Sequence, residues 1–476
     1  MDIKIINGEV VDPAQGENLV WRDIYIRDGI IDKSTGPDFV TINAEDCLII
    51  PAGIDPHTHL LGPLADSASE LTSENPEDMR KDAGLNYARM GYAGVIDPGV
   101  PPASAVDAWR EAKEIPLVDV GMIAMVVSSP PLIKMAEGKN TAGLRRFVEQ
   151  TINDTGALGI KLVNPGGKFL DRPLEAGAVE RKLDGFNITP LELIRRMAEA
   201  VAESGAKAPL HLHLNDLGAP WSHEATIKTI EVLKGVRAHI AHAQFHSYGG
   251  RSGFSSEAPL VARAVNENPN ITIDVGQIVF GNTVTATADE TFGPDFGRRG
   301  ATGSVITELA DGACHCARYE YRRQSAVNSV QWACGLELFL LVEDPMRVFL
   351  TTDHPNGGPF TAYPNIIAML MGGDLRRNEF SRLHEDTQNR STLHTINREY
   401  TAYEVASITS AGPAKTLGLL DRGSLTPGAI ADMAVYRKSG KSSHMFSSPG
   451  VVIKSGRVIA RDGEIVKTGV GVRVTG

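Results

Sequence analysis

An alternation running through the middle of the chain restricts its fold more than any other feature. Eight short apolar runs, at 48–50, 94–96, 118–127, 159–163, 209–214, 238–242, 271–275 and 348–352, recur in order. Between them lie longer stretches, for example 77–90, 190–203 and 223–233, with the three-to-four-residue apolar spacing of helices packed on one face. Strands buried on both sides read as continuous apolar runs, and intervening helices supply the crossovers that parallel strands need. Eight such units predict an α/β fold, an elaborated TIM-like (β/α)8 barrel.

The two ends of the chain read differently. Short β-rich runs lie at 3–6, 10–11, 23–26 and 30–31, and again at 433–436, 451–453, 457–459 and 465–466. Asn7-Gly8, Asp28-Gly29, Ser455-Gly456 and Asp462-Gly463 separate them, pairs that take positive φ cheaply and favour tight hairpins. Neither end is long enough to hold a sheet core alone. The two are therefore expected to pair in space as one small β-sandwich. Residues 1–50 would supply its N-terminal half, 51–419 the barrel and 420–476 its C-terminal half.

Composition removes several classes of function. A formal net charge of −11 argues against nucleic acid as a partner, because phosphate binding needs a basic face. No run approaches the roughly 20 apolar residues of a membrane helix, so no membrane insertion is expected. The first residues lack the apolar core of a signal peptide, and four cysteines are too few for a disulfide framework in 476 residues. A cytoplasmic, reducing setting follows. Cys314 and Cys316 lack the second cysteine or histidine pair of a zinc site and read as ordinary thiols.

Four signals stand at the C-terminal ends of predicted strands, where barrels of this kind carry their chemistry. His57 and His59 follow the first run, and alternate residues of an extended segment point to the same side. Lys161 lies inside an apolar strand, where its charge must be removed or paired. Carbamylation by CO2 would turn it into a carboxylate able to bridge two metals; alternatively its stem packs and its amine meets a carboxylate. Five of the thirteen histidines crowd into 211–213 and 239–246. His213 and His242 stand nearest the strand ends and are the expected ligands, with His211 and His239 as supports. Asp353 closes the last apolar run, either as ligand and proton acceptor or as a turn residue before Pro355. A carbamate, an aspartate and a bridging hydroxide would offset most of the charge on two divalent cations. Such paired ions activate water and polarise a carbonyl.

This order of ligands resembles the amidohydrolase superfamily, which includes dihydroorotases, hydantoinases and ureases. The run 408–419 (Ile-Thr-Ser-Ala-Gly-Pro-Ala-Lys-Thr-Leu-Gly-Leu), followed by 428–432 (Gly-Ala-Ile-Ala-Asp), resembles the segment that closes its barrel. Longer motifs are more specific: 161–167 (Lys-Leu-Val-Asn-Pro-Gly-Gly), 211–218 (His-Leu-His-Leu-Asn-Asp-Leu-Gly), 242–250 (His-Ala-Gln-Phe-His-Ser-Tyr-Gly-Gly) and 351–360 (Thr-Thr-Asp-His-Pro-Asn-Gly-Gly-Pro-Phe). With 276–281 and 327–333, they resemble the A subunits of formylmethanofuran dehydrogenase and of the formyltransferase/hydrolase complex of methylotrophic bacteria. The resemblance implies two Zn2+ ions held by His57, His59, carboxylated Lys161, His213, His242 and Asp353, with Asp353 also carrying the proton. It implies reversible interconversion of an N-formyl amine, formylmethanofuran or a related furan carrier, with formate and the free amine. It also implies other subunits of a C1-transfer complex as partners. The chain lacks cysteine clusters for iron–sulfur ligation and would supply the hydrolase half. Gln244, His246 and His354 are candidates to touch substrate or to support the ligands. The alternatives are a stand-alone cyclic amidase and a metal-free scaffold subunit.

Overall fold

The computed structural model describes all residues except 1, 173–174, 251–252, 290–296, 298–299, 310–311, 440–441, 468 and 470. Eight parallel strands, Gly53–Asp55, Tyr92–Val100, Asp119–Val127, Ile160–Val163, Leu210–His213, Ala238–Ile240, Ile271–Asp274 and Val348–Phe349, lie side by side in chain order. The first and last meet just beyond their C-terminal ends. There Thr58 and His354 form a parallel bridge, and His59 N donates to the His354 carbonyl at 2.8 Å. Helices such as Pro76–Arg89, Pro190–Glu203 and Ser222–Val232 fill the crossovers. Pro190–Glu203 starts on a capping box, in which Thr189 and Glu192 each satisfy the other's backbone N–H. The predicted barrel is what the chain forms.

The first barrel strand differs from expectation. Cys47–Pro51, which contains the apolar run at 48–50, belongs to the sandwich, pairing antiparallel with Met433–Arg437 and parallel with Glu9–Asp12. The barrel strand begins only at Gly53. The chain changes sheets across Pro51-Ala52: Ala52 N donates to Asp432 and Gly53 N to Gly91. Glycine is required at 53, because a Cβ there would lie 2.6 Å from the Tyr92 ring.

The chain ends form two facing sheets. One has four strands, all N-terminal; the other has seven and draws on both ends. Ile3, Ile5, Ile24 and Ile26 of the first sheet pack against Ile49, Val435 and Ile453 of the second. Asp28-Gly29, Ser455-Gly456 and Asp462-Gly463 form two-residue hairpin turns with φ positive at both positions. Asn7-Gly8 does not: it carries the chain from one sheet to the other, with Gly8 backed tightly against Ile49. At the base of the barrel, Asp119 accepts from Arg422 at 2.6 Å, Lys454 at 2.8 Å and Val472 N at 2.7 Å. The last strand, Arg473–Val474, then lies along Asp119–Val127.

An arm that the alternation does not anticipate stands between the seventh and eighth strands. Gly281–Thr287, Thr302–Leu309 and Gly312–Tyr321 make an antiparallel sheet with the last of these in the centre. Its Val284, Ala286, Cys314 and Cys316 pack on Leu64, Ala68 and Leu71 of helix Gly62–Thr72, and on Met125 and Val163 at the barrel mouth. The arm thus covers the C-terminal face of the barrel. Among the described residues no helix is long and apolar enough to cross a membrane, and all four cysteines are free.

Candidate metal centre

The segment after the first strand is held rigidly. Asp55 accepts from His57 N at 3.0 Å and from the hydroxyls of Tyr87 and Tyr363, while burial pushes its carboxyl up to about 6. His57 Nδ1 lies 3.0 Å from Asp274 Oδ2, and His59 Nδ1 lies 3.2 Å from Asp97 Oδ1. Each Nδ1–H is thereby committed to a carboxylate, which leaves the Nε2 lone pair outward. Both Nε2 atoms face Asp353 Oδ1, at 3.1 Å from His57 and 3.0 Å from His59. Three buried groups, each with one atom able to ligate, lie within 4.8 Å of one another, an arrangement that needs a positive charge in its midst, as a proton on an imidazole (the pKa of His59 is raised to about 9) or as a metal ion in its place. The donor set fits a divalent metal.

Lys161 approaches the same point from the fourth strand, its Nζ 3.0 Å from His57 Nε2. Burial lowers its pKa, with Asp353 and Asp274 opposing. A neutral amine is the form that adds CO2. His213 ends the fifth strand, and His242 follows the sixth in the left-handed region with φ 35°. Their rings lie 4.7 Å apart, and His242 is 5.3 Å from His57. Burial holds both imidazoles below the usual histidine range, in the neutral form that ligates metal. Among the described residues, His242 Nδ1 has no hydrogen-bond partner and His213 Nε2 has a weak contact with Asp289 Oδ2 at 3.5 Å.

His57, His59 and Asp353 thus form one metal-sized group, Lys161 touches His57, and the rings of His213 and His242 lie alongside; His59, Lys161, His213, His242 and Asp353 line a cavity of about 490 Å3. The other three candidates lie beside it. His246 is fully buried and stacks on His242 at 5.2 Å. Gln244 points to helix Ala326–Leu341, donating to the Gln331 carbonyl. His354 turns its ring onto Phe360 and Gly358. His239 bridges Asp274 and Thr272, as a supporting residue should.

Two carboxylates escaped the sequence reading. Asp97 orients His59 and accepts from the backbone of Leu60, Leu61 and Gly99; Asp274 orients His57 and His239 and accepts from His242 N. The signal was the one that exposed Asp353, a carboxylate inside or closing an apolar strand.

A parallel barrel with imidazoles, a lysine and a carboxylate gathered at its C-terminal rim defines a metallohydrolase class. Residues 40–460 match the model of the amidohydrolase family, and the chain belongs to that family. Within it, the chain is 37% identical over 493 residues to the A subunit of the formyltransferase/hydrolase complex Fhc of Methylorubrum extorquens, covering 97% of this chain and 89% of the relative. It is 33% identical over 513 residues to protein FwdA of Methanocaldococcus jannaschii, covering 98% and 89%. The crystal structure of the Methylorubrum extorquens FhcABCD complex with methylofuran superposes with a TM-score of 0.93 at 36% identity, over 100% of this chain and 91% of that one.

Proposed function

We propose that this chain is the hydrolase subunit of a cytoplasmic C1-transfer complex, interconverting an N-formyl furan amine and water with formate and the free amine. One observation carries the reading: the convergent ligand set occurs in a chain matched along nearly its whole length to a subunit whose complex binds methylofuran. His57, His59, Lys161 as its carbamate, His213, His242 and Asp353 would hold two Zn2+ ions. When bound, that pair would supply the Lewis acidity that lowers the pKa of a water and polarises the formyl oxygen.

The chain's own groups do the rest. Asp97 and Asp274 keep the two imidazoles oriented. Asp353 takes the proton of the attacking water and delivers it to the amine nitrogen, which leaves poorly unless protonated. Leu64, Met125, Phe245, Phe254, Tyr319 and Tyr321 give the cavity apolar and aromatic walls suited to a flat ring.

The walls also bear on the cyclic-amidase alternative. Dihydroorotate carries a carboxylate that calls for a fixed cation. Among the described lining residues the one lysine or arginine is Lys161, already beside His57. A neutral formamide suits this cavity better. The scaffold alternative leaves the converging lone pairs without a purpose.

The test is metal content per chain after purification with zinc and bicarbonate, together with formate release from a formylated furfurylamine. Two zinc ions with formate released is the expected result. Two ions without release, in the presence of the partner subunits, would shift the substrate to another amide, and absence of metal would overturn the catalytic reading.

A further inference from the structure

The two oxygens of Asp353 have different surroundings. Oδ1 faces the Nε2 atoms of His57 and His59, whereas Oδ2 accepts from Asn356 Nδ2 at 3.0 Å. Asn356 is buried and lines the cavity. Its carbonyl oxygen is engaged too, accepting from the backbone N–H of Ala286 at 2.6 Å and, at longer range, from Thr285 Oγ1 at 3.5 Å. These partners fix the sense of the amide: nitrogen to the carboxylate, oxygen to the backbone N–H.

Thr285 and Ala286 belong to the arm, on the edge strand Gly281–Thr287, and line the same cavity. The contact is reinforced on both sides. Thr283 Oγ1 donates to the Pro355 carbonyl, and Tyr321 OH donates to the Asn356 carbonyl at 3.2 Å. Two strands of the arm therefore grip the loop that follows Asp353, and a single side chain joins that grip to the carboxylate.

We propose that Asn356 is a positioning residue tying the arm to Asp353, so that the cavity wall and the proton-carrying group are aligned together. The inference rests on Asp353 as the proton carrier, and it adds a route by which substrate seated against Thr285 and Ala286 sets the carboxylate. A carboxylate pinned at one oxygen presents the other in one direction. Unpinned, it rotates, and misplacement on the order of 1 Å can cost about a hundredfold in rate.

Three variants separate the two halves of the tie. Asn356→Ala removes both. Asn356→Asp keeps an acceptor for Ala286 N–H but sets a like charge against Asp353. Ala286→Pro removes the arm's donor while leaving Asn356, and proline is tolerated on an edge strand where the N–H points away from the ladder. Amide exchange is read over 281–288, the visible bands on the Co2+-loaded protein, and kcat and KM on a formylated furfurylamine with metal content measured alongside.

For Asn356→Ala we expect exchange at Ala286 to quicken by up to about tenfold, the loss of one ordinary hydrogen bond. Its kcat should fall about ten- to a hundredfold with KM within about threefold and metal content kept. Asn356→Asp should retain the exchange protection yet shift the cobalt bands and lose kcat. Ala286→Pro should lower kcat with Asn356 intact. Unchanged cobalt bands in both Asn356 variants, or unchanged exchange at Ala286 in Asn356→Ala, would overturn the tie. If the wild type releases no formate, the proposed reaction fails, and the exchange and cobalt measurements still decide the tie.

Discussion

At the scale of single residues, the proposed centre gives Lys161 the holding of metal alone and Asp353 both a ligand's place and the proton. Lys161 is buried and touches His57 Nε2, so Lys161→Ala would remove the proposed ligand together with its carbamate. Metal and turnover should be lost together, the metal read by atomic absorption after dialysis. Asp353→Asn keeps the side-chain shape and a carbonyl oxygen, so it should retain much of the metal while turnover falls by about two to four orders of magnitude, the range for a positioned acid–base group. Asp274 is fully buried and orients His57 and His239. Asp274→Asn should weaken zinc binding about 10- to 100-fold in competition with a chelator, and unaltered affinity would remove it from the support of His57. The gathering of the candidate ligands was legible because each lies in or just past an apolar strand, in an order that a barrel turns into proximity. Asp97 and Asp274 were less so, because a buried carboxylate's role depends on which imidazole crosses the barrel to meet it, and that partner is 38 residues away for Asp97 and 217 for Asp274.

At the scale of elements, strands were legible where burial on both faces demands unbroken apolar runs. The run at 48–50 met that demand for another reason, as an inner strand of the sandwich. The arm was not legible, since Gly281–Thr287 mixes threonine, asparagine and glycine and buries only Val284, Ala286 and Thr287. Helix Ala326–Leu341 shows what holds the elements around the site. Its Glu337 is fully buried, accepting from Ser256 Oγ and from the backbone and hydroxyl of Thr392. Burial raises its carboxyl above the usual 4.5, so the native state holds that proton more tightly than the unfolded chain. Stability linked to Glu337 is therefore present below 4.5 and declines as pH rises through the elevated folded value. Glu337→Gln keeps the acceptor for Thr392 and can donate to Ser256 Oγ without a charge. The difference in Tm, variant minus wild type, should grow more positive from pH 4.5 upward and then level off. A difference that stays flat with pH would mean that Glu337 does not titrate across that range.

At the scale of the whole molecule, the question is what keeps the barrel in register with the sandwich. The turn pairs at both ends announced the sandwich, but not that residues 473–474 would return to the barrel beside the third strand. That return and the sheet change at Pro51-Ala52 flank one buried cluster: Asp119 of the barrel, Arg422 of the connection, and Asp432 with Lys454 of the sandwich. A buried ion pair is weak evidence of net stability, because desolvation cancels much of the attraction. Removing one partner is a different matter, for it strands the other charges. Asp119→Ala would leave Arg422 without its buried carboxylate, Lys454 with Asp432 and the Ser455 hydroxyl, and Val472 N without the acceptor it now has. The expected cost is about 3–5 kcal/mol. Asp119→Asn keeps an acceptor for Val472 N and should cost less. Because the cluster lies at the end of the barrel away from the candidate metal centre, both variants should fall in Tm while the proposed zinc content of the folded protein stays unchanged. If Asp119→Ala instead lost metal at temperatures where it remains folded, the base of the barrel would be coupled to its mouth, and the cluster would be setting the geometry of the centre as well as the seating of the sandwich.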